Sequence, residues 1–175
     1  DKAKHHAEAL ARTGVIYTSN QSNNEFYREN ADLIKNVNVV LTLDSRTCLT
    51  CFSYAQENPY PLENHPTPPF HVNCRCTTVP VTKSWNELGI DLDEAPKGTR
   101  ASMSGQVPED VTYLQWLKRQ SADIQKEALG ASRYRLWKQG DIEITSFVSD
   151  TGEILTLEQL RRKEADIFED LNISL

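Results

Sequence analysis

With 175 residues, 38% of them hydrophobic, the chain can build one core with an appendage, but much of its length must be surface, loop or partner-facing. A net charge of −6 argues against a nucleic-acid binder that is basic over its whole surface, although a local basic patch stays open. No run approaches the roughly 18 apolar residues of a membrane-spanning helix, and no signal peptide is evident.

Residues from about Lys2 to Tyr17 read as helix, with Ala7, Leu10, Ala11 and Gly14 at helical spacing. The polar run Thr18 to Asn24 weakens the pattern. A second helical stretch, about Glu25 to Lys35, carries Phe26, Tyr27, Leu33 and Ile34. Together they read as one long interrupted helix with little to bury by itself, suited to packing on a partner or on an upstream part of the protein. Val37 to Leu43 is the best strand candidate, because Val37, Val39, Leu41 and Leu43 alternate with Asn38, Val40 and Thr42. Asp44 ends it and, as a preferred N-cap residue, predicts a short helical turn through Thr47 to Tyr54. Pro59, Pro61, Pro66, Pro68 and Pro69, five of the eight prolines, then predict an ordered loop rather than a helix. Cys76 to Thr82 regains β composition and suits pairing with the Val37 strand.

Asp91 to Gln106 reads as a linker. Beyond it Pro108 suits the first turn of a helix with Val111, Leu114 and Leu117 on one face. Ser121 predicts a helix through Leu129 closed by Gly130, and Ser132 another ending at Gly140. Ile142 to Val148 is a strand or turn. Thr156 and Gln159 have capping-box spacing for a last helix with Leu157, Leu160 and Ile167. The class is α+β, divided into a helical segment 1–36, a β core 37–90, a linker 91–107 and a mostly helical part 108–175.

All four cysteines lie between Cys48 and Cys76, which favours one local site over a spread disulfide scaffold. Cys48 and Cys51, three apart on a helical turn, share a face. Cys74 and Cys76, two apart on extended chain, point to one side while Arg75 points to the other. Four thiolates make a closed tetrahedral set suited to structural zinc, with no coordination position left for water activation. His71, three residues before Cys74, is a substitute ligand or a supporting donor. Two disulfides, four buried thiols and a redox C-x-x-C are the competing readings. His65 is read as a loop residue, Asp44 and Arg46 as a paired turn, and Arg75 as a lock on backbone carbonyls or Glu63.

The run Leu43-Asp44-Ser45-Arg46-Thr47-Cys48, then Cys51, then Pro68-Pro69-Phe70-His71-Val72-Asn73-Cys74-Arg75-Cys76 resembles the core signature of the phage Mu head-morphogenesis family. Tyr113-Leu114-Gln115-Trp116-Leu117, Leu129-Gly130 with Arg133, Trp137 and Gly140, Phe147-Val148 and Leu155 to Leu160 resemble its C-terminal part, and Ala11, Arg12 and Thr13 followed by Tyr27-Arg28-Glu29 its N-terminal helix, so the likeness runs from about residue 5 to 163. Where many relatives have a Gly after the first cysteine pair, this chain reads Phe52-Ser53-Tyr54. The chain also opens at Asp1 rather than Met, which reads as a fragment or processed product of a protein with an upstream portion.

The resemblance implies a minor head protein that acts in capsid assembly. Portal and capsid proteins are its expected partners, the phage head its location, and contact with packaged DNA a further role. Enzymatic activity is not expected. The competing expectation is a zinc-containing nuclease or toxin-like enzyme using His71, His65, Asp44 and Arg46. A third is a DNA-binding module built on Lys118, Arg119, Arg133, Arg135 and Lys138 with Trp116, Tyr134 and Trp137 interleaved.

Overall fold

A computed structural model describes residues 2–173 and has an α+β architecture. Two compact units divide the chain: Asp1–Thr42 with Tyr54–Arg100, and Leu43–Ser53 with Ala101–Leu175.

The first unit opens with α1 (Lys2–Glu29), one unbroken helix across the polar run that was expected to interrupt it. That run continues the helix because polar groups within it are spent on the helix's own carbonyls and on neighbours. Asn20 and Ser22 donate to the carbonyls four residues back, and Asn20 and Asn24 are buried. The predicted helix to Lys35 stops short, because Ile34 instead begins β1 (Ile34–Val40), where it pairs with Thr82 and is buried. Pairing across the sheet outweighs local propensity there.

Along β1, Val37 and Val39 point into the core as the alternation predicts, and Leu41 and Leu43 beyond it are also buried. Antiparallel β3 (Thr77–Thr82) flanks β1 on one side, as expected. On the other side lies β2 (Tyr60–Pro61), two residues of the proline-dense loop. The order is β2-β1-β3. Where β2 ends, the Asn58 side chain takes over as a pairing partner. Its Oδ1 accepts from the Val39 N–H and its Nδ2 donates to the Val39 carbonyl, both at 2.8 Å. Tyr27, Ile34, Val37 and Leu62 form a buried cluster.

Helix α2 (Leu49–Gln56) follows the turn after Leu43. The predicted linker holds a hairpin, β4 (Thr99–Ser102) with β5 (Gly105–Pro108), turned through Gly105 at φ 106°. Pro108 therefore ends a strand and does not open a helix. The helix start lies at α3 (Tyr113–Lys118), where Thr112 and Gln115 form a full capping box.

In the second unit α4 (Ala122–Leu129) has the expected Ser121 cap and Gly130 stop. Helix α5 (Ala131–Gln139) starts directly after Gly130 with no side-chain cap, so Ser132 lies inside it. Of the strand or turn expected over Ile142 to Val148, the turn is found, as a 3-10 turn (Ile144–Phe147), and Val148 bridges Ile154. The Thr156–Gln159 capping box opens α6 (Leu157–Lys163) as predicted; α7 (Ala165–Asp170) is a separate helix carrying Ile167. Trp116, Leu117, Leu136, Ile144, Phe147, Leu160 and Phe168 are the most completely buried apolar side chains of these segments.

Candidate metal centre

The first half of the site begins at Asp44. Its Oδ1 accepts from the Arg46 N–H at 3.0 Å and the Thr47 hydroxyl at 3.4 Å, and Arg46 Nη2 lies 3.5 Å from its Oδ2. Tyr113 donates its hydroxyl to the Asp44 carbonyl at 3.3 Å, tying this turn down. Asp44 thus shapes the turn, paired with Arg46 as expected, but it does not cap the helix. The cap position falls to Cys48, whose Sγ accepts from the Cys51 N–H at 3.4 Å while its carbonyl accepts from Phe52. One sulfur thereby takes an orphan donor of the first turn, and the i, i+3 spacing puts Cys48 and Cys51 on one side of the helix start.

The second half is the segment from Thr67 to Cys76. Phe70 stacks on Tyr54 with ring centroids 4.0 Å apart. The turn at His71 closes through Cys74 N–H to the His71 carbonyl at 3.1 Å, with Asn73 at φ 60°, a conformation Asn tolerates. From there the chain extends. Cys74 and Cys76 are buried and Arg75 between them is exposed, the alternation predicted from their spacing.

Two groups of donors stand out: Cys48, Cys51 and His71, and Cys51, Cys74 and Cys76. None of the four cysteines is in a disulfide. Either group could hold a metal ion. Cys51 belongs to both groups, which makes five donors for the four positions of a tetrahedral ion. His71 is exposed and its Nδ1 lies 2.8 Å from the Val72 carbonyl. A carbonyl only accepts, so Nδ1 carries the proton and Nε2 holds the lone pair available to a metal.

His65 stays outside this group. Its ring nitrogens lie 2.9 Å from the Leu62 carbonyl and from Asn24 Oδ1, which gives it a packing role in the first unit.

The residues that spacing rules missed lie on α1. Thr13, Asn20, Asn24 and Tyr27 form one face of the helix at intervals of seven, four and three. Thr13 Oγ1 accepts from the Asn73 N–H at 3.1 Å. Asn20 Nδ2 donates to the Cys76 carbonyl at 3.3 Å, and its Oδ1 accepts from the Thr78 N–H at 3.1 Å and the Thr77 hydroxyl at 3.2 Å. Asn24 Nδ2 donates to Thr67, and Tyr27 donates to the Thr78 carbonyl at 2.9 Å. Burial raises the Tyr27 hydroxyl's pKa, partly offset by its bond to Thr78. The signal available was weak: α1 is polar on most sides, and only the seven-four-three spacing of these four residues marks the face.

The basic cluster has a different fate. Arg133 donates to the Leu155 carbonyl at 2.8 Å and Arg135 to the Leu171 carbonyl. Lys138 lies over the Trp137 ring, and Trp116 and Trp137 are buried. Lys118, Arg119 and Lys138 are the exposed cations of the group. Among the described residues no helix is long and apolar enough to cross a membrane. In comparison with known proteins, the chain matches no family model, no curated protein and no solved structure.

Proposed function

We propose that this chain is a structural module of a tailed-phage head, a minor head protein whose fold is held by zinc. One observation carries the reading. The residues through which the chain resembles the head-morphogenesis family, Cys48 and Cys51 with His71, Cys74 and Cys76, are also the donors of the two groups that could hold a metal ion. A thiolate-rich set with an imidazole in reach suits zinc better than harder ions, which prefer oxygen ligands. Buried Cys51, Cys74 and Cys76 favour a structural over a catalytic role for it.

The partners are portal and capsid proteins. Leu10, Val15, Tyr17 and Phe26 of α1 are exposed and offer apolar surface to such contacts. DNA contact in the head falls to the exposed Lys118, Arg119 and Lys138. A zinc-dependent nuclease is the second reading, favoured by the exposure of His71, which gives the donor set a side open to solvent.

The test combines metal analysis of the purified protein with co-expression beside the portal protein of the same phage. The expected result is one zinc per chain and co-elution with the portal. Absence of both would sink the proposal. Plasmid cleavage that is lost in His71→Ala would put the nuclease reading in its place.

A further inference from the structure

We infer that α1 is a positioning element for the metal centre, with Asn20 as its central residue, so that docking of the helix face and metal affinity are one linked equilibrium. This rests on the metal reading above.

Cys74 and Cys76 lie in chain without regular secondary structure, just before β3. Their sulfurs can be held at fixed spacing only if the backbone around them is fixed by something else. Helix α1 supplies that constraint from both sides of the pair. Thr13 holds the N–H of Asn73, immediately before Cys74. Asn20 holds the carbonyl of Cys76 and both the hydroxyl of Thr77 and the N–H of Thr78. Tyr27 holds the Thr78 carbonyl.

Asn20 is 1% exposed, and its side chain makes four hydrogen bonds, one of them to the Ile16 carbonyl of its own helix. In a buried setting the carboxamide is committed, because shifting the Cys76 backbone would leave polar groups of both partners unpaired. The same commitment runs the other way. A metal bound by Cys74 and Cys76 fixes the backbone that Asn20 and Thr13 read, and binding linkage is reciprocal. The helix's polar face provides the contacts with the segment ahead of β3, and Leu10, Val15, Tyr17 and Phe26 stay exposed.

The test uses the whole chain. Zinc affinity is measured by competition with a chromophoric chelator for wild type, Asn20→Ala, Thr13→Val and, as a control on the same helix, Ser22→Ala. Amide exchange across α1 is measured with and without chelator. Loss of a group that orients a metal ligand weakens binding by about 10–100-fold, and this is the loss expected for Asn20→Ala. A smaller, several-fold loss is expected for Thr13→Val and none for Ser22→Ala. Chelation is expected to raise exchange between Thr13 and Tyr27. Should Asn20→Ala fail to fold, half-exposed Thr13→Val and the exchange data decide the matter. Wild-type affinity in both variants, with unchanged helix content, overturns the inference while leaving the metal reading intact. A wild-type chain that binds no zinc overturns both.

Discussion

At Gly140 the absence of a side chain is a packing requirement. A Cβ there would lie 2.5 Å from Ile167 Cγ2 and 2.8 Å from the Leu136 carbonyl oxygen, which belongs to backbone and cannot swing aside. Gly140→Ala is therefore expected to cost about 1–3 kcal/mol, the usual range for overpacking. Thermal unfolding should show a drop of several degrees with zinc content unchanged, and an unshifted Tm would contradict the close approach. Glu87 makes a contrasting case at the surface. The hydrogen bond from Lys35, and after it the Ser84 N–H, holds its carboxyl down to about 2 from an ordinary 4.5. A depressed carboxyl contributes stability that is complete above its unfolded value and is lost as pH falls through the folded one. The advantage of wild type over Glu87→Gln should therefore be small and constant above about pH 5 and vanish towards pH 2. Unfolding midpoints of the two proteins across that range would check it, and a gap that widens on acidification would refute the sign.

Among the elements, caps were the most readable feature, because a cap is decided by chemistry three residues wide. Thr156 accepts from the Gln159 N–H while Gln159 returns the bond to the Thr156 N–H. Thr156→Ala should accordingly cost about 1 kcal/mol, seen as a lowered unfolding midpoint, whereas Ser132→Ala, inside α5 and capping nothing, should cost less. Ser121, Gly130 and Gly140 were legible for the same local reason. Two caps were misplaced by a few residues, Asp44 ahead of α2 and Ser132 inside α5; the larger misses were the places where distant residues decide. Ile34 leaves the helical pattern because Thr82 pairs with it across the sheet. Pro108 is a strand end because β4 and β5 pair, a hairpin whose only sequence signal is Ser104-Gly105 between short polar runs. The alternation of Val37 to Leu43 was read correctly since one face is buried, yet its regular pairing stops at Val40. For the site, spacing alone identified the cysteine pairs and the burial of Cys74 and Cys76 against exposed Arg75. It could not identify the Thr13–Asn20–Tyr27 face, because polar groups at helical spacing ordinarily mean solvent.

On the scale of the whole molecule, each half of the donor set is anchored within its own unit. Tyr113 holds the Asp44–Thr47 turn ahead of Cys48, and Phe52, three residues into α2, is fully buried with its ring centroid 5.7 Å from that of Tyr113. Thr13 and Asn20 hold the chain on either side of Cys74 and Cys76. With 38% hydrophobic residues and a mean hydropathy of −0.56, the chain has a modest apolar reserve, so ligand binding should matter to its stability. An ion present at a thousandfold its Kd stabilises the folded state by about 4 kcal/mol, worth about 10 °C in Tm for a chain of this length. Chelation should lower the midpoint by that order, and zinc should restore it. The donors should not contribute equally. Cys51 is buried and common to both ligand groups, whereas His71 is exposed and belongs to one. Cys51→Ser should abolish stoichiometric binding and reproduce the chelated midpoint without chelator. His71→Ala should retain zinc through the four sulfurs with a weaker affinity. Metal content and melting curves of the two variants side by side test this order, and retention of zinc by Cys51→Ser with its loss from His71→Ala would reverse it.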